Sequence, residues 1–122
     1  MNFKEYQKKA KQTAMYMKGF DEKYPLVKDE IRKIIALSYV MNGLGEVGEI
    51  QNKFKKIIRD DACVVTEEFK QDMMKELGDV LWYCANICEE LGLSLDEVAE
   101  KNVEKLFSRQ QRGVLTGSGD NR

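Results

Sequence analysis

Glu46-Val47-Gly48-Glu49 and Glu76-Leu77-Gly78-Asp79 each place two carboxylates three residues apart. At about 3.6 residues per turn, that spacing sets both on one helix face, one turn apart. Each pair lies inside an apolar periodic pattern rather than a polar run. Four carboxylates facing a bundle interior repel one another and resist desolvation. They persist there only if protonated, paired with cations or bound to a metal. A lone Glu-x-x-Glu carries little, because glutamate-rich helices produce it often. Glu67, Glu68, Glu89, Glu90, Glu97 and Glu100 read as solvated surface charges. Two acidic pairs on consecutive antiparallel helices carry more, since packing would bring them together around a shared cation. From spacing alone, accidental placement stays open as the alternative.

The chain has no histidine. Di-iron bundles built on Glu-x-x-His are therefore excluded, as are Ser-His-Asp and Cys-His catalysis. A metal held by carboxylates and water alone is a hard cation, magnesium first and manganese second. Magnesium is often completed by substrate phosphates, which points to a phosphate ester. A polyphosphate also needs cations and donors nearby. Lys53, Lys105 and Arg109 are the candidates, with Asn102 as a neutral donor; ordinary surface solubility is the competing reading for all four. The arrangement suits metal-assisted attack of water on phosphorus, one glutamate activating the water.

The elements that must hold these groups are helical. Asn2 and Glu5 form a capping box opening a first helix to about Lys18, ended by Gly19, with a loop from Phe20 to Pro25. A long second helix runs from near Leu26 to about Ile58, its apolar positions including Ile31, Ile34, Tyr39, Val47, Phe54 and Ile58. Gly43, Gly45 and Gly48 would each cost about 1 kcal/mol in an exposed helix. They make sense if something approaches the backbone closely or if the helix bends, and they predict a kink or break near Asn42–Gly45; glycines 45, 48 and 78 predict close approach of the helices around a ligand. Thr66 caps a third helix to about Leu91, stopped by Gly92. On it, Asp72, Glu76, Asp79, Tyr83 and Asn86 form a polar stripe beside an apolar one that includes Leu77, Leu81, Cys84 and Leu91. Ser94 and Glu97 read as a second capping box, opening a fourth helix to about Gln111 on which Asn102, Lys105 and Arg109 form a row. Residues 113–122 are a glycine-rich tail of the kind that usually frays. Residues 1–112 thus read as one helical domain.

At 122 residues, 34% charged and 43% apolar, the chain can bury one core. The net charge of −1 gives no basic field for duplex nucleic acid. No apolar run approaches a membrane span, and no signal peptide opens the chain. Three cysteines without zinc-type spacing fit a reducing cytoplasm. Cys84 and Cys88, one turn apart on an apolar face, read as core packing rather than a redox pair.

Glu46-x-x-Glu49, 26 intervening residues (50 to 75) and Glu76-x-x-Asp79 resemble the signature of MazG-type nucleoside triphosphate pyrophosphohydrolases, of the all-α NTP pyrophosphatase superfamily. Lys75-Glu76-Leu77-Gly78-Asp79-Val80-Leu81-Trp82-Tyr83 is similar to the second core helix of that family, and Asn102-Val103-Glu104-Lys105-Leu106-x-x-Arg109 to its C-terminal motif. The likeness covers roughly residues 30 to 112. It implies an all-α bundle of four to five helices, assembled as a homodimer or homotetramer. It also implies hydrolysis of a nucleoside triphosphate to the monophosphate and pyrophosphate, for instance to clear unwanted nucleotides. Glu46, Glu49, Glu76 and Asp79 would then be the catalytic carboxylates holding magnesium. Asn102, Lys105 and Lys53 would hold the phosphates, and Tyr83 matches an aromatic position near the site in some relatives. Phosphoribosyl-ATP pyrophosphatase shares the fold and the acidic pairs and is one alternative. A non-enzymatic helical interaction protein on the same scaffold is the other.

Overall fold

Local signals start and stop two of the helices. Asn2 Oδ1 accepts from the Glu5 amide at 2.8 Å, and the Glu5 carboxylate accepts from the Asn2 amide at 3.1 Å. This capping box opens α1 (Phe3–Gln12) in a computed structural model that describes residues 1–122 and contains only helices and turns. α1 is shorter than expected. Thr13 ends it, its hydroxyl donating to the Ala10 carbonyl and accepting from Trp82 Nε1, each at 2.8 Å. The expected loop at Phe20 is instead part of a short helix, α2 (Lys18–Lys23), with Gly19 inside it. Asp21 holds that helix on the next one by accepting two hydrogen bonds from the Arg32 guanidinium, at 2.6 and 2.7 Å.

The long second helix is α3 (Asp29–Gly43), a 3₁₀ turn (Leu44–Glu46) and α4 (Val47–Asp60) in continuous right-handed conformation. The expected bend is thus a tightening of the helix. Thr66 caps α5 (Glu67–Leu91) by accepting from the Phe69 amide at 3.1 Å, and Gly92 ends it in the left-handed region at φ +65°. α6 spans Leu95–Gln111.

Ser94 was expected to cap α6, but its side chain makes no capping bond. Gln7 of α1 does the work from across the fold. Its Oε1 accepts from the Leu95 amide at 2.8 Å, while its Nε2 donates to the Leu93 carbonyl at 2.9 Å and to Glu89 at 3.0 Å. Glu89 also pairs with Lys11 at 2.7 Å, and these two hydrogen bonds hold its carboxyl below the usual carboxylate range.

α5 is the spine, with α1, α3, α4 and α6 all packed on it. Ala36 and Val40 of α3 are fully buried, and Ala10, Ala85, Cys88 and Leu95 join α1, α5 and α6. All three cysteines are free thiols, and burial pushes the thiols of Cys84 and Cys88 up, as befits core residues. Only 11 of 122 residues are buried, so one chain leaves much apolar surface uncovered. Ile31, Ile34, Tyr39, Val47, Phe54, Ile58, Leu77 and Leu91, expected as interior positions, are exposed.

The glycine-rich segment turns back along α6 instead of fraying. Arg109, 5% exposed, donates to the Asp120 carbonyl at 2.7 Å, and Arg112 donates to the Arg122 carbonyl at 3.0 Å.

Candidate functional site

The 3₁₀ turn decides which acidic groups meet. In a 3₁₀ helix, side chains at i and i+3 eclipse. Gly43 and Glu46 therefore share one line, and both face α5. The next step, Glu46 to Glu49, is α-helical and rotates Glu49 off that line by about 60°. Lys53, seven residues past Glu46, returns to within about 20° of it.

The packing agrees with these phases. Ligand oxygens of Glu46, Glu76 and Asp79 lie within 4.8 Å of one another. Lys53 Nζ sits 2.6 Å from Glu76 Oε1. Glu46, Lys53 and Glu76 are half-buried, whereas Glu49 and Asp79 are exposed. Glu49 lies outside the trio of oxygens. The hydrogen bond to Glu76 holds the Lys53 ammonium above its usual range, against partial desolvation, with the charges of Glu76, Asp72 and Glu49 adding to it. Asp72 thus joins the field around Lys53, as its place on the α5 polar stripe allows.

Tyr83 lies at the edge of the acidic group. Burial raises its phenol pKa, followed by the neighbouring Tyr39, Glu46 and Asp79. The phenol is therefore held protonated, able to donate to an anion. Tyr6 of α1 is raised by burial and then by Asp79. Trp82 meets Tyr83 edge-on with ring centroids 5.1 Å apart.

Of the glycines expected to allow close approach, Gly43 alone does so. A Cβ on Gly43 would stand 2.0 Å from Tyr83 Cε1, while Cβ atoms on Gly45, Gly48 and Gly78 would meet nothing within 4 Å. Gly43→Ala would gain about 1 kcal/mol of helix propensity but displace the ring at an overpacking cost of about 1–3 kcal/mol. A net loss of about 1 kcal/mol is expected in urea unfolding. With Tyr83→Ala already in place the same change should become stabilising; an unchanged sign would mean that the ring contact does not govern this position.

The C-terminal row is not brought to the acidic trio within one chain. Asn102 and Lys105 are exposed on α6, beside a cavity they share with Phe3, Leu95, Val98, Ala99 and Lys101. Arg109 is turned into the returning tail, 3.7 Å from the Asp120 carboxylate. Sequence reasoning also missed Gln7 as the cap of α6, and nothing local to Ser94 signals it.

Three hard oxygen donors converging from two elements, with Lys53 offsetting only Glu76, fit a divalent cation of the oxygen-seeking kind. No helix is long and apolar enough to cross a membrane. The Gene 37 protein of Mycobacterium phage L5 is 53% identical over 90 residues, covering 73% of this chain and 79% of that protein. No solved structure matches the chain. The family model of the MazG nucleotide pyrophosphohydrolase domain matches residues 36–114, which span the 3₁₀ turn, both acidic motifs and α6. This chain belongs to the MazG nucleotide pyrophosphohydrolase domain family.

Proposed function

We propose that the chain is a magnesium-dependent nucleoside triphosphate pyrophosphohydrolase of the cytoplasm, converting an NTP or dNTP to the monophosphate and pyrophosphate and so clearing unwanted nucleotides. The observation that carries this reading is the convergence of Glu46, Glu76 and Asp79, with Lys53 beside them. These three carboxylates would hold the magnesium ion, manganese being the substitute. Bound there, it would supply charge neutralisation for phosphate oxygens and a more acidic water.

The chain's own groups do the rest. Lys53, which neutralises Glu76 in the chain alone, stands ready for a phosphate oxygen. Tyr83 offers a phenolic proton to the same anion. Glu49 is the fourth carboxylate, one turn from Glu46 and exposed, so it is free to accept the proton of the attacking water. The water oxygen bonds to phosphorus, the bridging bond between the α- and β-phosphates breaks, and pyrophosphate departs with that bond's electrons.

Asn102, Lys105 and Arg109 are the remaining phosphate-binding candidates. Residues 1–112 act as the domain, with 113–122 as its tail. The exposed apolar side chains of α3, α4 and α6, among them Ile34, Phe54 and Phe107, support a homodimer or homotetramer. In it, α6 of a second copy would bring its Asn102 and Lys105 to this trio.

A screen of NTPs and dNTPs for pyrophosphate release, with sedimentation of the same preparation, tests the reading. Monophosphate and pyrophosphate should appear in equal amounts with magnesium and vanish with chelator, from a species of two or four chains. Release of orthophosphate instead, or no turnover with either metal, would overturn it.

A further inference from the structure

Tyr39 of α3 is 52% exposed, yet its ring is held in place. It stacks on Tyr16 with ring centroids 5.1 Å apart and planes 12° from parallel. Tyr16 is fixed in turn. Its hydroxyl donates to Glu90, and its ring meets Trp82 edge-on at 6.2 Å. Trp82 is itself anchored by its Nε1 donating to the Thr13 hydroxyl. A ring has two faces, and Tyr16 covers one of them. The exposure of Tyr39 therefore lies on its other face and its edge. An aromatic face that is ordered beforehand loses little freedom when a flat molecule lands on it.

This face adjoins the acidic group. Tyr39, Gly43 and Glu46 stand at i, i+4 and i+7 and share one side of the helix. Gly43, between them, carries the ring of Tyr83, which an added Cβ would strike. Tyr83 neighbours Tyr39, Glu46 and Asp79 alike. Four α-helical steps and three 3₁₀ steps separate Tyr39 from Glu46, a rise of about 12 Å. That is about the span from a metal-held phosphate across a ribose to a base. Ile34, on the α3 surface offered to a second copy, stands about 140° around the helix from Tyr39. The ring therefore lies off that surface.

We infer that the exposed face of Tyr39 is the stacking platform for the substrate's base, with the ribose passing over Tyr83 and the phosphates reaching Glu46, Glu76 and Asp79. The inference rests on the pyrophosphohydrolase reading for its substrate class. Stacking uses the π-face that every base has. The contact therefore selects nucleotides over phosphates that lack a base, and it does not select one base from another. Such a platform suits an enzyme that clears nucleotides of more than one kind.

Calorimetry on the full chain with magnesium tests it, using AMP, GMP, CMP, UMP and ribose 5-phosphate as probes. The parent should bind each monophosphate more tightly than ribose 5-phosphate. Tyr39→Ala should weaken all four monophosphates about tenfold and leave ribose 5-phosphate unchanged. Tyr39→Trp keeps a flat ring and should bind them at least as well as the parent. Tyr39→Leu keeps apolar bulk without a π-face. It should behave as Tyr39→Ala does, and it carries the test should the alanine variant fail to fold. Unaltered monophosphate binding in these two variants, a loss confined to one base, an equal loss for ribose 5-phosphate, or no advantage of the monophosphates over ribose 5-phosphate in the parent would each overturn the inference. A monophosphate has no bond between α- and β-phosphates to cleave, so the two readings fail separately. Base-dependent binding through Tyr39 without pyrophosphate release from triphosphates counts against hydrolysis alone. Release without such binding counts against the platform alone.

Discussion

Asp79→Asn is expected to slow pyrophosphate release by about a hundredfold or more while the helical fold stays intact. Asp79 is exposed, and asparagine keeps its shape, so stability should change by no more than about 0.5 kcal/mol. What the substitution removes is charge. The trio of Glu46, Glu76 and Asp79 loses one of three anionic donors, while Lys53 already offsets Glu76. Raising magnesium should restore part of the rate. Glu49→Gln should behave differently, because Glu49 lies outside the trio. It should lower kcat at saturating magnesium by about a hundredfold with little change in the magnesium required. Unimpaired turnover in Asp79→Asn, with circular dichroism unchanged, would remove the trio from the chemistry. Identical magnesium profiles for the two variants would erase the distinction between holding the cation and accepting a proton.

Gln7→Ala carries the largest expected loss of stability, about 2 kcal/mol, because two backbone groups and a carboxylate lose one partner together. The Leu95 amide is one of the unpaired donors that every helix start exposes, and Ser94 does not satisfy it. The Leu93 carbonyl loses its donor at the same moment. Adding Ser94→Asp should recover about 1 kcal/mol by capping α6 locally. Urea midpoints of the single and double variants test this. A Gln7→Ala chain within about 0.5 kcal/mol of the parent would show that water replaces the glutamine without penalty.

Signals that act over three or four residues were legible. Asn2 with Glu5, Thr66 with Phe69 and Gly92 after Leu91 set helix ends by bonds to their own neighbours, so the sequence located them. The two acidic motifs and the missing histidine named the ligand chemistry by the same local logic, since helical spacing alone places each pair on one face. Ser94 shows the limit of that logic. Its pattern promises a cap, yet the amide is taken by Gln7, whose partners lie more than 80 residues away. Arg109 likewise fits the row of Asn102 and Lys105 by spacing, but the returning tail claims its guanidinium.

What the sequence determined by itself is a helical chain carrying carboxylates in pairs, with no histidine to compete. What only the tertiary structure decided is which carboxylates meet and which glycine lies against an aromatic ring. Those outcomes depend on the phase of α4 after the 3₁₀ turn and on side chains approaching from α5. A 60° change of phase, about what three 3₁₀ residues introduce, brings Glu46 to Glu76 and Asp79 and leaves Glu49 outside. Residue spacing along one chain is blind to that rotation, and contact between helices is what reveals it.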